Sequence, residues 1–202
     1  MAPEVAAAAC NWQATRVPPR SRVWPTWTYY PHNLKPPQWV TALIGVVAQA
    51  EATICTEVQR QSLTSDTVLL ALAEGLRSLG YEVESGKTTA GKVRRPVLFG
   101  ENGTTTVTYE VDAAHDGHGI VVEVEAGRGA RGNAAYRDVI RTSLILDARF
   151  LVLMMPVTYR ISTGTVRATS VPAYREARDM LEAIYASERL PLPFEGVLLV
   201  GY

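Results

Sequence analysis

Apolar side chains at Leu43, Val47, Ala50, Ile54 and Val58 recur every three or four positions, which predicts a helix over about 38–60. A second helical stripe follows at Leu69, Leu72, Leu76 and Leu79. Ser65-Asp66 is placed to cap its start and Gly80 to end it. The period then shortens. "YEVES" reads as a short strand, and "RRPVLF" and "TTVTYEVD" as the arms of a hairpin turning at "ENG". A loop "AAHDGHG" leads into an apolar strand over 119–126 and a glycine-rich turn "GRGARGN". Asn133 is a candidate cap for the next helix, with Tyr136, Val139, Ile140, Ser143 and Leu144 expected to face inward. "RFLVLMMPV" has the unbroken apolar character of a strand buried on both faces. A helix over 172–188 and a strand "EGVLLVGY" close the chain. From about 65 to 157 the order is helix, strand, strand, strand, helix, strand, which predicts an α/β fold with a mixed central sheet flanked by helices.

Residues 1–37 differ in texture. "RVPPRSRVWPTWTYYPHNLKPP" mixes proline, aromatic and basic residues without a helical or alternating period. It reads as an arm that wraps its own domain or a partner, or lays stacking rings along a nucleic-acid strand. The expected division is this arm over 1–37 and a single α/β domain over 38–202. At 202 residues with 47% hydrophobic content the chain suits one compact domain better than two. Lys+Arg and Asp+Glu both total 20, so any attraction for an anionic partner has to be local. Two cysteines, Cys10 and Cys55, make neither a disulfide framework nor a metal knuckle. The start "MAPEVAAAAC" lacks a basic segment followed by a long apolar run, and no stretch reaches the roughly 18 apolar residues of a membrane span. A cytoplasmic protein without a membrane partner is expected.

Candidate chemistry centres on "VVEVEAG" (121–127). Alternation along a strand sends Glu123 and Glu125 to one face, about 7 Å apart, and Val122 and Val124 to the other. Two like charges so placed require positive compensation, from arginines or from a divalent cation. Asp112 ends the preceding strand, and the intervening residues 113–122 can bring it beside Glu123. Hard oxygen donors with positions left for water suit Mg²⁺.

"YEVD" (109–112), the interval to "EVE" (123–125) and the helix "NAAYRDVIRTSLI" resemble the PD-(D/E)xK nuclease superfamily, the fold of many type II restriction endonucleases. The resemblance covers about half the chain, residues 65–157. It implies a Mg²⁺- or Mn²⁺-dependent endonuclease in which Asp112 and Glu123 bind metal. Glu125 stands where lysine is usual, to act on water together with a second metal, and Val111 stands where the name has proline. The family's further acid from the first core helix falls nearest Asp66, with Glu74 as rival; Asp66 is equally explained as a helix cap. Double-stranded DNA is the implied partner and a homodimer the usual assembly. Arg128, Arg131, Arg137 and Arg141 follow the acidic strand, and Lys87, Lys92, Arg94 and Arg95 cluster at the hairpin. All are candidates for phosphate contacts, or for ion pairs with Asp138 and Glu125. The alternative is a nuclease-fold protein that binds nucleic acid, or serves as a scaffold, without cutting.

Other motifs carry less. His115 and His118 in "HDGHG" lack a third nitrogen or sulfur donor for zinc. "GRGARGN" has the glycine spacing of a dinucleotide fingerprint, but no acid follows a second strand to hold a ribose.

Overall fold

The computed structural model describes residues 23–59, 63–86, 88–126, 133–163, 166–187 and 189–202. The elements, in chain order, are β1 (Thr26–Tyr30), α1 (Gln38–Gln49), α2 (Glu51–Ile54), α3 (Ser65–Ser78), β2 (Glu82–Val83), β3 (Val93–Phe99), β4 (Thr105–Val111), β5 (Ala113–His115), β6 (Ile120–Val124), α4 (Ala134–Ser143), β7 (Phe150–Met155), β8 (Tyr159–Thr163), β9 (Val166–Val171), α5 (Ala173–Ser187) and β10 (Gly196–Gly201).

Six strands form a mixed sheet in the order β1-β10-β7-β6-β5-β2. Its centre, β10-β7-β6, is parallel, and the flanking strands are antiparallel. Every residue of β6, β7 and β10 is buried, because both faces are covered by helices. Alternation divides these strands between two cores. Ile120, Val122, Val124, Val152, Met154, Leu198 and Val200 meet α1, α2 and α3 through Leu43, Val47, Ile54, Leu72 and Leu76. Val121, Leu151, Leu153, Val197 and Leu199 meet α4 and α5 through Val139, Met180 and Leu181. The β3–β4 hairpin is a separate two-stranded sheet, and β4 bends at Asp112 into β5, so the aspartate marks the corner between hairpin and sheet.

Several local expectations are corrected. The predicted helix over 38–60 breaks at Ala50 and ends at Ile54, where the chain turns so that the Thr56 hydroxyl can donate to the Tyr202 carbonyl at 2.6 Å. Thr64, not Ser65 or Asp66, caps α3, its hydroxyl accepting from the Thr67 N–H. Asn133 makes no side-chain cap at α4. That helix is also turned relative to expectation: Ala134, Ala135, Asp138, Val139 and Thr142 are buried, while Tyr136, Ile140 and Leu144 are about half exposed. Small residues face the sheet because α4 packs close to it. Part of the "AAHDGHG" loop is the strand β5, and a second hairpin, β8–β9, follows β7. Thr26–Tyr30, in a stretch without a periodic signal, pairs along β10 as the edge strand.

Gly119 sets the start of β6. It has φ +64, and a Cβ there would lie 2.6 Å from the Asp147 carbonyl, so only glycine fits the turn.

Leu153 is fully buried in β7, whereas Leu70 on α3 is 78% exposed. Leu153→Ala is therefore expected to cost about 2–5 kcal/mol in urea unfolding, and Leu70→Ala less than about 0.5 kcal/mol.

Candidate functional site

The acids meet at the end of β6. Ala113 lies opposite Val122 in the antiparallel β5–β6 register, which carries Asp112 to the level of Glu123. The Val124 N–H donates to Asp112 Oδ2 at 2.6 Å, pinning the aspartate against the strand that carries the glutamates. Beyond the end of β6 the chain stays extended alongside β7, with the Glu125 N–H donating to the Met154 carbonyl at 2.9 Å. The Tyr202 hydroxyl donates to the Glu125 carbonyl at 2.6 Å. Glu123 and Glu125 are each only 8% exposed.

Asp112, Glu123 and Glu125 line one cavity of about 340 Å³, together with Glu84, Glu110 and Asp138. Lys92, Arg137 and Arg141 are its cationic side chains, so six carboxyls face three positive groups. Arg137 joins Glu125 at 2.5 Å and Asp138 at 3.0 Å. Lys92 joins Glu84 at 2.6 Å. Arg141 lies over the Tyr109 ring and donates to the Glu110 carbonyl at 3.2 Å.

Burial and crowding make the ionised carboxyls costly. Desolvation first, then the hydrogen bond and charge of Asp138, push Glu125 up to about 8, against the pull of Arg137. Desolvation also pushes Asp112 up to about 6, opposed by the Val124 N–H. Glu123 is raised well above the usual carboxylate range by desolvation and then by the charges of Asp112 and Asp138. Such a cluster favours either protons or a cation of higher charge than a lysine or arginine brings.

The donor set is hard oxygen, as Mg²⁺ and Mn²⁺ prefer. Among the described residues no three His, Cys, Asp or Glu side chains form a ready-made ion cage. Any ion would thus be held by one or two carboxylates with water completing its shell, an arrangement usual for Mg²⁺.

The remaining sequence candidates are dispersed. Asp66 lines a neighbouring groove with Leu69, Leu70, Arg77 and Glu84, while its neighbour Ser65 lines the acidic cavity. Arg94 pairs with Glu110, and Arg95 with Glu82 and Asp116. Both arginines line a different cavity, of about 670 Å³, beside the start of β6. Lys87, Arg128 and Arg131 lie outside the described residues. His115 accepts from the His118 N–H and their rings are in contact, as expected of a turn.

Three acids of the cavity, Glu84, Glu110 and Asp138, escaped the sequence reading as site residues. Glu84 follows β2, and its N–H donates to the Asp112 carbonyl at 2.9 Å. In the sequence Asp138 reads only as an arginine's ion-pair partner. Its spacing with Ala134, Ala135 and Thr142 is the signal that places it on the buried face.

No protein-family model and no curated protein matches the sequence. Among solved structures, the restriction endonuclease BglII in complex with a DNA 16-mer is similar, with a TM-score of 0.52 at 12% sequence identity, over 89% of this chain and 78% of that chain. The protein has a restriction-endonuclease-like fold, a mixed central sheet flanked by helices. No helix among the described residues is long and apolar enough to cross a membrane.

The raised carboxyls give the metal-free protein a distinctive pH response. A carboxyl that titrates higher in the folded chain than in the unfolded one contributes stability that is complete below its ordinary value. That stability is lost as pH rises through the folded value. For Glu125 the window runs from 4.5 to about 8. Thermal melts in chelator should show Tm falling across that window, and Glu125→Gln should flatten the slope and melt higher than the parent near the upper limit.

Proposed function

We propose that this protein is a divalent-metal-dependent nuclease of the PD-(D/E)xK type, hydrolysing phosphodiester bonds, with double-stranded DNA as the preferred substrate. The observation that carries the reading is the meeting of Asp112, Glu123 and Glu125 in one partly cation-lined cavity at the end of a fully buried strand. The likeness to a DNA-cutting enzyme supports it at the level of the fold.

On this reading Asp112 and Glu123 hold a Mg²⁺ or Mn²⁺ ion, which supplies charge stabilisation at the scissile phosphate and a more acidic water. Glu125 takes the place of the lysine usual in this class. Its carboxyl, shifted toward neutrality, is suited to receive the proton of the attacking water. Arg137 keeps Glu125 oriented and brings a fixed positive charge to the position where phosphate charge develops. Arg141 and Lys92, at the cavity wall, contact backbone phosphates flanking the bond to be cut. Cytoplasmic location, a homodimer acting on both strands, and an arm over 1–37 that lends its Thr26–Tyr30 strand to the single domain over 38–202 complete the proposal. The acid at the lysine position also favours a second reading, a nuclease-fold module that binds nucleic acid or acts as a scaffold without cleaving it.

Incubation with supercoiled plasmid and Mg²⁺ or Mn²⁺ separates the two. Asp112→Asn and Glu123→Gln should each lower nicking by at least about 100-fold while the fold is retained, since even outer-shell partners of a metal are worth 10- to 100-fold. Gel shifts without metal-dependent cleavage by the parent would support the non-cleaving module. Arg141→Ala should weaken DNA binding and reduce the slope of log K against log salt by about one.

A further inference from the structure

We propose that Tyr202 is a positioning residue for phosphodiester hydrolysis: its phenol supplies a hydrogen bond that the sheet cannot give to Glu125, and so fixes the acid that stands at the lysine position. The inference rests on the metal-nuclease reading above. In the parallel ladder between β6 and β7, Val124 lies opposite Met154, and at the next step the Glu125 N–H donates to the Met154 carbonyl at 2.9 Å. The same step calls for the Glu125 carbonyl to accept from the N–H of residue 156. Residue 156 is proline and has no N–H to give. The ladder on the other side of β7 shows what is lost. There the Tyr202 N–H donates to the Met155 carbonyl at 3.0 Å and the Tyr202 carbonyl accepts from the Val157 N–H at 2.8 Å, the complete pair that Glu125 lacks.

The Tyr202 hydroxyl takes the missing place, donating to the Glu125 carbonyl at 2.6 Å. A buried main-chain carbonyl is costly to leave unpaired. The Tyr202 side chain is fully buried, so phenylalanine would serve for packing, and the hydroxyl answers this one acceptor. Its base is firmly held. Besides the two ladder bonds, the Tyr202 carbonyl accepts from the Thr56 hydroxyl at 2.6 Å, and Thr56 Oγ1 in turn accepts from the Thr158 N–H at 3.3 Å. Glu125 is the residue that depends on this. β6 ends at Val124, so the main chain of Glu125 is held by Met154 on one side and Tyr202 on the other, while its carboxyl turns to Arg137. Tyr202 thus acts from behind the wall of the acidic cavity. A reacting group misplaced by an ångström loses about 100-fold in rate, so a main-chain anchor at this position bears directly on turnover.

A rival role for Tyr202 is to fill the core and nothing more. Tyr202→Phe removes one oxygen and keeps the ring, and Pro156→Ala restores an N–H where the ladder needs one. With supercoiled plasmid and Mg²⁺, Tyr202→Phe should lower kcat about tenfold and leave KM for DNA unchanged. Adding Pro156→Ala to Tyr202→Phe should recover most of that loss. A ring that only fills space has nothing to regain from a backbone donor elsewhere. The carbonyl ¹³C resonance of Glu125 makes the same comparison without activity: it should move upfield in Tyr202→Phe and return in the double variant. A Tyr202→Phe protein that nicks at the parental rate overturns the proposal and leaves the nuclease reading standing, as does one in which the Glu125 carbonyl resonance stays where it was. A loss that the double variant does not recover overturns it too. A parent that nicks no plasmid with Mg²⁺ or Mn²⁺ defeats the metal-nuclease reading itself, and this proposal with it. A parent whose Tyr202 hydroxyl proton exchanges freely with water overturns the proposal even where Tyr202→Phe fails to fold.

Discussion

The structure is organised around the burial of carboxyl groups at the end of a strand that is otherwise entirely apolar. β6 lies at the middle of the sheet with helices on both sides, and Glu123 and Glu125 occupy positions that a packing rule alone would fill with valine. Keeping like charges in such a setting costs free energy. Everything nearby answers that cost: the Val124 N–H on Asp112, Arg137 on Glu125 and Asp138, and Lys92 on Glu84. The sheet gives the acids a rigid base, and α4 brings both the offsetting guanidinium and a further acid over them.

This arrangement explains why the cationic side chains are not interchangeable. Arg137 and Arg141 stand one helical turn apart on α4, but Arg137 is tied to two carboxyls while Arg141 stacks on Tyr109 and donates to a main-chain carbonyl. The first is an internal counter-charge; the second is anchored at the rim with most of its donors still available. Arg95 belongs to another part of the surface, paired with Glu82 and Asp116, while Arg94 pairs with Glu110 of the acidic cavity. A basic cluster that is contiguous in sequence is thus split by the hairpin geometry.

The central strands and their helices were legible in the sequence because burial on both faces leaves an unbroken apolar run, as in β7 and β10, and a one-sided helix leaves a stripe, as in α3. The convergence of Asp112 on β6 was legible for a similar reason, since strand alternation and one short connection constrain both ends. Other features depend on tertiary contacts that local pattern does not carry. The rotation of α4 follows from close packing of Ala134, Ala135 and Thr142, which a search for large apolar residues overlooks, and Asp138 was missed with it. β1, Thr-Trp-Thr-Tyr-Tyr, has strand-favouring residues but no apolar–polar alternation, and its proline-flanked setting hid the pairing with β10. Glu84 is adjacent to a strand of two residues, too short for periodicity to show.

The pairing of Thr26–Tyr30 along Gly196–Gly201 has a practical corollary. β10 is wholly apolar and buried, and among the described residues β1 is the strand that covers it on that side of the sheet. The covering strand is itself bracketed by Pro25 and Pro31, residues that discourage another chain from docking along a sheet margin. A truncation beginning at Gln38, attractive if the aromatic segment is taken for a dispensable tail, would bare a greasy, hydrogen-bond-hungry ribbon, strip Tyr29 and Tyr30 from the two cores, and invite clumping of the polypeptide.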